Sequence, residues 1–250
     1  FLAGLSGLFH VDGLSATFPT LALLALAVAL GELGRPVIWL AVSGACAGLA
    51  ALSKSPTLVL LPVAALALLW PALRADGTWR ARLLGVVRHG LVWGAALFVT
   101  VLLLYPALWA GPGGVVEIVG GSANRHLDEA LRETFFLGRV AFNHGLLFYP
   151  IVVLWRLSPV AWLALAPAVW LLLRRRPAGA WRRSGWFAAG LFVLWAVVFL
   201  VAITPAAKKF DRYILPVAPS LLILAGVAWT AWAARARRWG RRALPVVVGA

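Results

Sequence analysis

Long apolar runs separated by short polar turns dominate this sequence. The runs cover roughly residues 14–30, 37–52, 56–73, 90–110, 159–173, 185–203 and 213–234, and another begins near 243. Most are close to the ~20 residues that an α-helix needs to cross a ~30 Å hydrocarbon core. The pattern predicts an all-α fold, a polytopic transmembrane bundle of about seven complete spans and the start of an eighth.

One connection in this pattern is much longer than the others. Residues 111–158 separate the fourth and fifth runs, whereas helical bundles usually connect their helices with about 2–8 residues. Within this loop, Leu127, Leu131 and Phe135 recur at the spacing of one helical face, which predicts an amphipathic helix on the membrane surface. The later part, FYPIVVLWRLSP, is apolar again and fits either a re-entrant or an interfacial segment.

Composition supports a membrane protein and argues against nucleic-acid binding. Of the 250 residues, 63% are hydrophobic and 12% are charged, whereas soluble domains are about 25% charged. The net charge of +15 lies in short clusters between the apolar runs, not on one basic face. The lone cysteine, Cys46, provides neither a disulfide nor a cysteine metal site. We therefore interpret residues 1–250 as part of a single transmembrane module.

The distribution of Lys and Arg predicts the orientation in the membrane. If the first run starts outside, then Arg35 and the segments 74–88, 174–183 and 235–242 lie inside, and together they hold most of the 23 basic residues. This orientation follows the positive-inside rule for a multi-pass protein of the cytoplasmic membrane. It places the long loop and the remaining polar clusters on the extracytoplasmic face.

Three polar clusters remain on that outer face. In HVDG, the carboxylate of Asp12 is suited to the start of a helix or to a catalytic or substrate-binding role. In SKSP, Lys54 lies in a tight turn, where turn chemistry and function are equally good explanations. In PAAKKFDRY, Lys208, Lys209 and Arg212 are either headgroup anchors or ligands for a phosphate group presented from the bilayer.

Familiar nucleotide-hydrolysis and zinc motifs are missing from the sequence. No GxxxxGK[ST], HExxH or paired-cysteine pattern occurs. The long loop does carry a set of side chains of the types that ligate metals: His126, His144, Asp128, Glu129 and Glu133. Solvation of a polar loop explains these residues better than metal ligation, so we expect no metal and no cofactor.

Four segments resemble the membrane glycosyltransferases of superfamily C that use polyprenyl-phosphate sugars, including protein O-mannosyltransferases and the lipid A aminoarabinose transferase. The segments are HVDGLSATFPTLALLAL, GLAALSKSPTLVLLP, FYPIVVLWRLSP and KKFDRYILPVAPSLLILAG, in the order of that family. The resemblance implies transfer of a sugar from a polyprenyl-phosphate donor to a hydroxyl on protein, lipid or glycan. The reaction would take place at the outer face of the membrane.

The resemblance also implies roles for individual residues. An acidic residue of the first outer loop acts as general base in this family, and we expect that loop to lie upstream of Phe1. Asp12 would orient that base or bind a sugar hydroxyl. Tyr213 would donate a hydrogen bond to phosphate, or else anchor the chain at the membrane interface. The cations expected to contact the phosphate are Lys54, Lys208, Lys209 and Arg212.

Two other classes of function remain open from the residues alone. A transporter or flippase for a lipid-linked or anionic solute would also place cations near lipid phosphate. Such proteins tend to place charges near the membrane midplane and to consist of two similar halves, and no internal repeat is evident here. A membrane scaffold would explain the helices but not the outer cations.

Overall fold

The computed structural model describes residues 11–31, 36–74, 76–115, 117, 133–165, 184–206, 209–230 and 232–233. Over these residues the chain is mostly helical. The main helices are α1 Val11–Leu30, α2 Pro36–Ser53, α3 Leu60–Arg74, α4 Trp79–Leu104, α5 Ala107–Ala110, α6 Phe148–Arg156, α7 Pro159–Leu165, α8 Ser184–Ile203 and α9 Ala218–Thr230. The other regular elements are the 3₁₀ turns Ser55–Val59 and Asp211–Ile214 and a hairpin of β1 Thr134–Phe136 and β2 Arg139–Ala141.

Five of the described helices are long and apolar enough to cross a membrane. They confirm the prediction of a helical membrane protein and correspond to α1, α2, α3 with its preceding 3₁₀ turn, α4 and α8. The predicted number of seven spans is not confirmed. Helices α6 and α7 meet at 103° and form at most one broken span, and α9 by itself is shorter than a span. The predicted run near 243 lies outside the described residues.

Two predicted boundaries differ from the structure. The fourth helix begins at Trp79, not near 90, because arginine is a good helix former and the Thr78 side chain caps the helix by accepting a 3.4 Å hydrogen bond from the Ala81 amide. The run predicted at 213–234 does not start as a helix. It opens with a 3₁₀ turn and Pro216, a residue that lacks an amide hydrogen, and becomes helical at Ala218.

The prediction of an amphipathic helix that includes Phe135 is wrong for that residue. Phe135 lies in a β-hairpin, while Leu127 and Leu131 lie outside the described residues. The hairpin turns at Leu137 and Gly138, which both have positive φ, at 49° and 80°. That pair of angles matches the right-handed twist of a two-residue hairpin, and the flanking Thr, Phe and Val residues favour strands.

Small residues let α1, α2 and α4 pack closely. The Ser43 hydroxyl on α2 donates to the Ala22 carbonyl on α1 at 2.8 Å and accepts from the Trp93 indole on α4 at 3.0 Å. A Cβ atom added at Gly44 would lie 2.1 Å from the Trp93 carbonyl oxygen, and one added at Gly48 would lie 2.9 Å from another carbonyl of α4. This small-xxx-small contact brings the backbones of α2 and α4 together.

A buried side chain of α8 binds the backbone of the segment that follows this helix. Trp195 on α8 is fully buried and donates from Nε1 to the Pro216 carbonyl at 3.1 Å. The 3₁₀ turn Asp211–Ile214 is thereby brought beside the first turn of α1 and the α2–α3 connection. This end of the bundle, which holds those three segments, is called the site end.

Candidate functional site

Asp12 is the centre of a charged cluster at the site end. Its side chain is only 3% exposed, in the first turn of α1. The Lys54 ammonium forms an ion pair with Oδ1, and the Arg212 Nε lies 3.7 Å from Oδ2. A single carboxylate therefore connects three segments that are far apart in the sequence.

The turn between α2 and α3 holds Lys54 in place. Lys54 has an extended backbone and is followed by the 3₁₀ turn, with a proline in its first positions. The buried hydroxyl of Thr57 lies 2.6 Å from the carbonyl oxygens of both Ala50 and Lys54. Turn chemistry thus explains the backbone at this point, and it directs the Lys54 side chain towards Asp12.

Aromatic rings flank both cations. The Lys54 Nζ lies 4.5 Å from the centroid of the Tyr213 ring, and the Arg212 Cζ lies 5.1 Å from the centroid of the Phe210 ring. Phe210 and Tyr213 themselves meet edge to face at 5.5 Å. Rings at these distances attract cations through their electron-rich faces. Tyr213 is therefore a neighbour of Lys54 within the cluster.

Lys209 has a different environment from Arg212. Its ammonium is buried and donates to the carbonyls of Thr204 at 2.8 Å and Ala206 at 3.0 Å, and to the Asn143 side-chain oxygen at 3.1 Å. Burial lowers the pKa of Lys209 below its usual range. These contacts satisfy carbonyls at the end of α8 and tie the chain to Asn143, so Lys209 holds the loop in place. Lys208 lies outside the described residues.

A second ion pair ties the 3₁₀ turn to α6. The Arg156 guanidinium pairs with Oδ2 of Asp211, and Oδ1 of the same carboxylate accepts from the Arg212 amide at 2.7 Å. The sequence did not indicate that Arg156 or Asn143 belongs to this region. A signal existed for Arg156, since a charge within an apolar segment usually has a partner. Together with Lys209, this pair positions the backbone that carries Arg212.

The cluster has the features of a pre-organised anion site. The side chains of Lys54 and Arg212 are 20% and 40% exposed, so both cations keep a face towards the surroundings while Asp12 holds them from behind. Within the described residues, the buried Arg212 Nε has no hydrogen-bond partner. An incoming oxyanion would meet two cations whose positions are already determined by other contacts.

The described residues contain no group of three or more His, Cys, Asp or Glu side chains that could hold a metal ion. His144 instead lies 2.8 Å, through its Nε2, from the Thr134 hydroxyl and stacks on the Phe148 ring. Of its loop neighbours, Glu133 is exposed, and the residues outside the described part of the chain are His126, Asp128 and Glu129.

Comparisons with protein-family models, curated proteins and solved structures found no match for this chain. A functional interpretation therefore depends on the geometry of the cluster and on the chemistry of its side chains.

Proposed function

We propose that this protein is a membrane glycosyltransferase that moves a sugar from a polyprenyl-phosphate donor to an acceptor hydroxyl on protein, lipid or glycan. The observation that carries the proposal is the meeting of Asp12, Lys54 and Arg212 at one end of a bundle of apolar helices. The resemblance of the sequence to superfamily C glycosyltransferases agrees with it, because the same residues lie in the resembling segments.

The two cations suit a phosphate group at the membrane rim. A guanidinium binds phosphate oxygens through two parallel hydrogen bonds, and an ammonium adds a compact point charge. Arg212 supplies the guanidinium and Lys54 supplies the ammonium. The carboxylate of Asp12 keeps them close together in spite of their repulsion. Tyr213, beside Lys54, adds a hydroxyl that can donate a hydrogen bond to the phosphate.

The reaction uses these charges when the leaving group departs. The acceptor oxygen forms a bond to the anomeric carbon while the bond from that carbon to the phosphate oxygen breaks. The electron pair and the developing negative charge go to the polyprenyl phosphate, where Lys54 and Arg212 stabilise them. The acceptor proton goes to a general base, which in the family that the sequence resembles is an acidic residue.

The contacts change the roles expected of Asp12 and Lys209. Both carboxylate oxygens of Asp12 already face cations, so we assign it to positioning Lys54 and Arg212. The ammonium of Lys209 is surrounded by three protein oxygens, and it positions the loop without contacting the donor. Lys208 remains a predicted phosphate ligand.

The position of the cluster favours transfer over transport. A transporter needs a site near the midplane that opens in turn to both sides of the membrane. Asp12, Lys54 and Arg212 lie at helix ends and in turns. A lipid-linked donor can reach such a rim site by lateral diffusion, without crossing the bilayer.

The test is sugar transfer by the full-length protein in proteoliposomes. Polyprenyl-phosphate donors carrying different labelled sugars are supplied, and labelled protein, lipid and glycan products are measured. We expect Arg212→Ala to lower the rate by about 10²–10³-fold, the usual loss when one charge-stabilising donor is removed. The matched control is Arg80→Ala, which removes an exposed arginine near the start of α4 and leaves the rate unchanged.

Two results would overturn the proposal. One is the absence of transfer from every polyprenyl-phosphate sugar, combined with movement of the labelled lipid between leaflets, which would identify a flippase. The other is a wild-type transfer rate for Arg212→Ala, which would show that the cluster takes no part in the reaction.

A further inference from the structure

The β-hairpin has one face that is strongly exposed and apolar. Phe135 pairs with Val140 across the two strands, so their side chains lie on the same face. These two side chains are 73% and 61% exposed, and Leu137 at the turn is 69% exposed. Three large apolar side chains thus project together from a small element.

The opposite face attaches the hairpin to the bundle. The Phe136 ring lies 4.7 Å from the Phe148 ring at the start of α6 and 5.3 Å from the His144 ring. Thr134 adds its hydrogen bond to His144, and Asn143, two residues after β2, accepts from Lys209. These contacts hold the hairpin at the site end, with the apolar face directed away from the protein.

Further exposed apolar side chains follow the hairpin in the sequence. Leu146 and Leu147, just before α6, are 70% and 68% exposed, and Trp155 on α6 is 83% exposed. Between residues 134 and 149 the sequence has a single charged side chain, Arg139. At one end of a bundle with membrane-length apolar helices, a segment of this composition is typical of a lipid contact and not of a hydrated loop.

We infer that the hairpin inserts its apolar face, Phe135, Leu137 and Val140, into the bilayer at the site end. The insertion stops at the boundary between headgroups and acyl chains. A two-stranded sheet leaves unpaired N–H and C=O groups on both edges, and these must stay hydrated because hydrocarbon offers them no partner. Arg139 lies on the other face and reaches the phosphate layer. This inference does not depend on the proposed glycosyl transfer.

Spin labels report the depth of each side chain. In full-length protein carrying Cys46→Ala, single labels are placed by Phe135→Cys, Leu137→Cys, Val140→Cys and Arg139→Cys. Leu66→Cys on the exposed surface of α3 serves as the lipid reference, and Asp76→Cys in the exposed α3–α4 connection serves as the water reference. Collision with dissolved oxygen, which concentrates in lipid, is compared with collision with a water-soluble nickel chelate in proteoliposomes.

We expect labels at positions 135, 137 and 140 to collide more often with oxygen than with the nickel chelate, as at position 66. The label at position 139 is expected to collide more often with the nickel chelate than with oxygen, as at position 76. An excess of nickel at 135 and 140 would show that the face lies in water. Exclusion of both reagents from these positions would show that other protein covers it. Either result would overturn the inference.

Discussion

The ammonium of Lys54 forms an ion pair with the carboxylate of Asp12, although 42 residues separate them in the sequence. This contact joins the first turn of α1 to the connection between α2 and α3. The guanidinium of Arg212 approaches the other oxygen of the same carboxylate from the turn after α8. The geometry of the site end therefore depends on one buried acidic side chain.

Replacing Asp12 with asparagine should destabilise the protein. The change removes the negative charge between Lys54 and Arg212, so the two cations repel each other with no compensation. Both cations are partly exposed, and we expect a loss of about 1–3 kcal/mol in the free energy of unfolding. Thermal unfolding in detergent measures the effect. The exposed Asp76→Asn serves as control, and an equal unfolding temperature for the two variants would contradict the prediction.

Replacing Gly44 with alanine should separate α2 from α4. The added Cβ would meet the Trp93 carbonyl at 2.1 Å, so the two backbones must move apart, at a cost of about 1–3 kcal/mol. Gly94→Ala on α4 is the matched control, since a Cβ there meets nothing within 4 Å and alanine favours a helix by up to about 1 kcal/mol. Unfolding temperatures should fall for Gly44→Ala and stay equal or rise for Gly94→Ala. The opposite order would show that the close helix contact is wrong.

The ion pair of Arg156 and Asp211 should give a measurable coupling energy. Both side chains are about two-fifths exposed, so we expect coupling of about 0.2–1 kcal/mol in a double-mutant cycle. The cycle combines Arg156→Gln with Asp211→Asn and measures the free energy of unfolding. Arg139→Gln combined with Asp211→Asn should be additive, because the structure shows no contact between those two described residues. If the effects were additive in both cycles, the ion pair would not stabilise the contact between α6 and the 3₁₀ turn.

Lys209 and Arg212 should show opposite phenotypes. Lys209→Met leaves two part-buried carbonyls just after α8 without this donor, which we expect to lower stability by about 1–3 kcal/mol. The folded fraction of that variant should bind polyprenyl phosphate like the wild type. Arg212→Ala should bind the lipid about tenfold or more weakly and unfold at a temperature close to that of the wild type. The assay combines thermal unfolding with titration of labelled polyprenyl phosphate, and weaker binding by Lys209→Met alone would reverse the two assignments.

Much of the helical framework was predictable from local sequence. The runs 14–30, 37–52, 56–73 and 185–203 fall within a few residues of α1, α2, α3 and α8, because a hydrocarbon core requires apolar side chains over a set length. The start of α4 was missed because arginines extend a helix as well as apolar residues do. The hairpin was missed because its turn depends on two positive φ angles that residue spacing does not reveal.

The candidate site, like the fold, was predictable from the sequence only in part. The sequence alone singled out Asp12, Lys54, Lys209 and Arg212, since charges at the ends of apolar helices are costly enough to require an explanation. Only the tertiary structure separated their roles. Lys209 and Arg212 are three residues apart and carry the same charge, but the turn directs one to carbonyls of the chain after α8 and the other to Asp12. Hydrophobicity is a property of each residue and can be read from the local sequence. An ion pair depends on how distant segments pack, so only the packing determines which cation contacts the carboxylate.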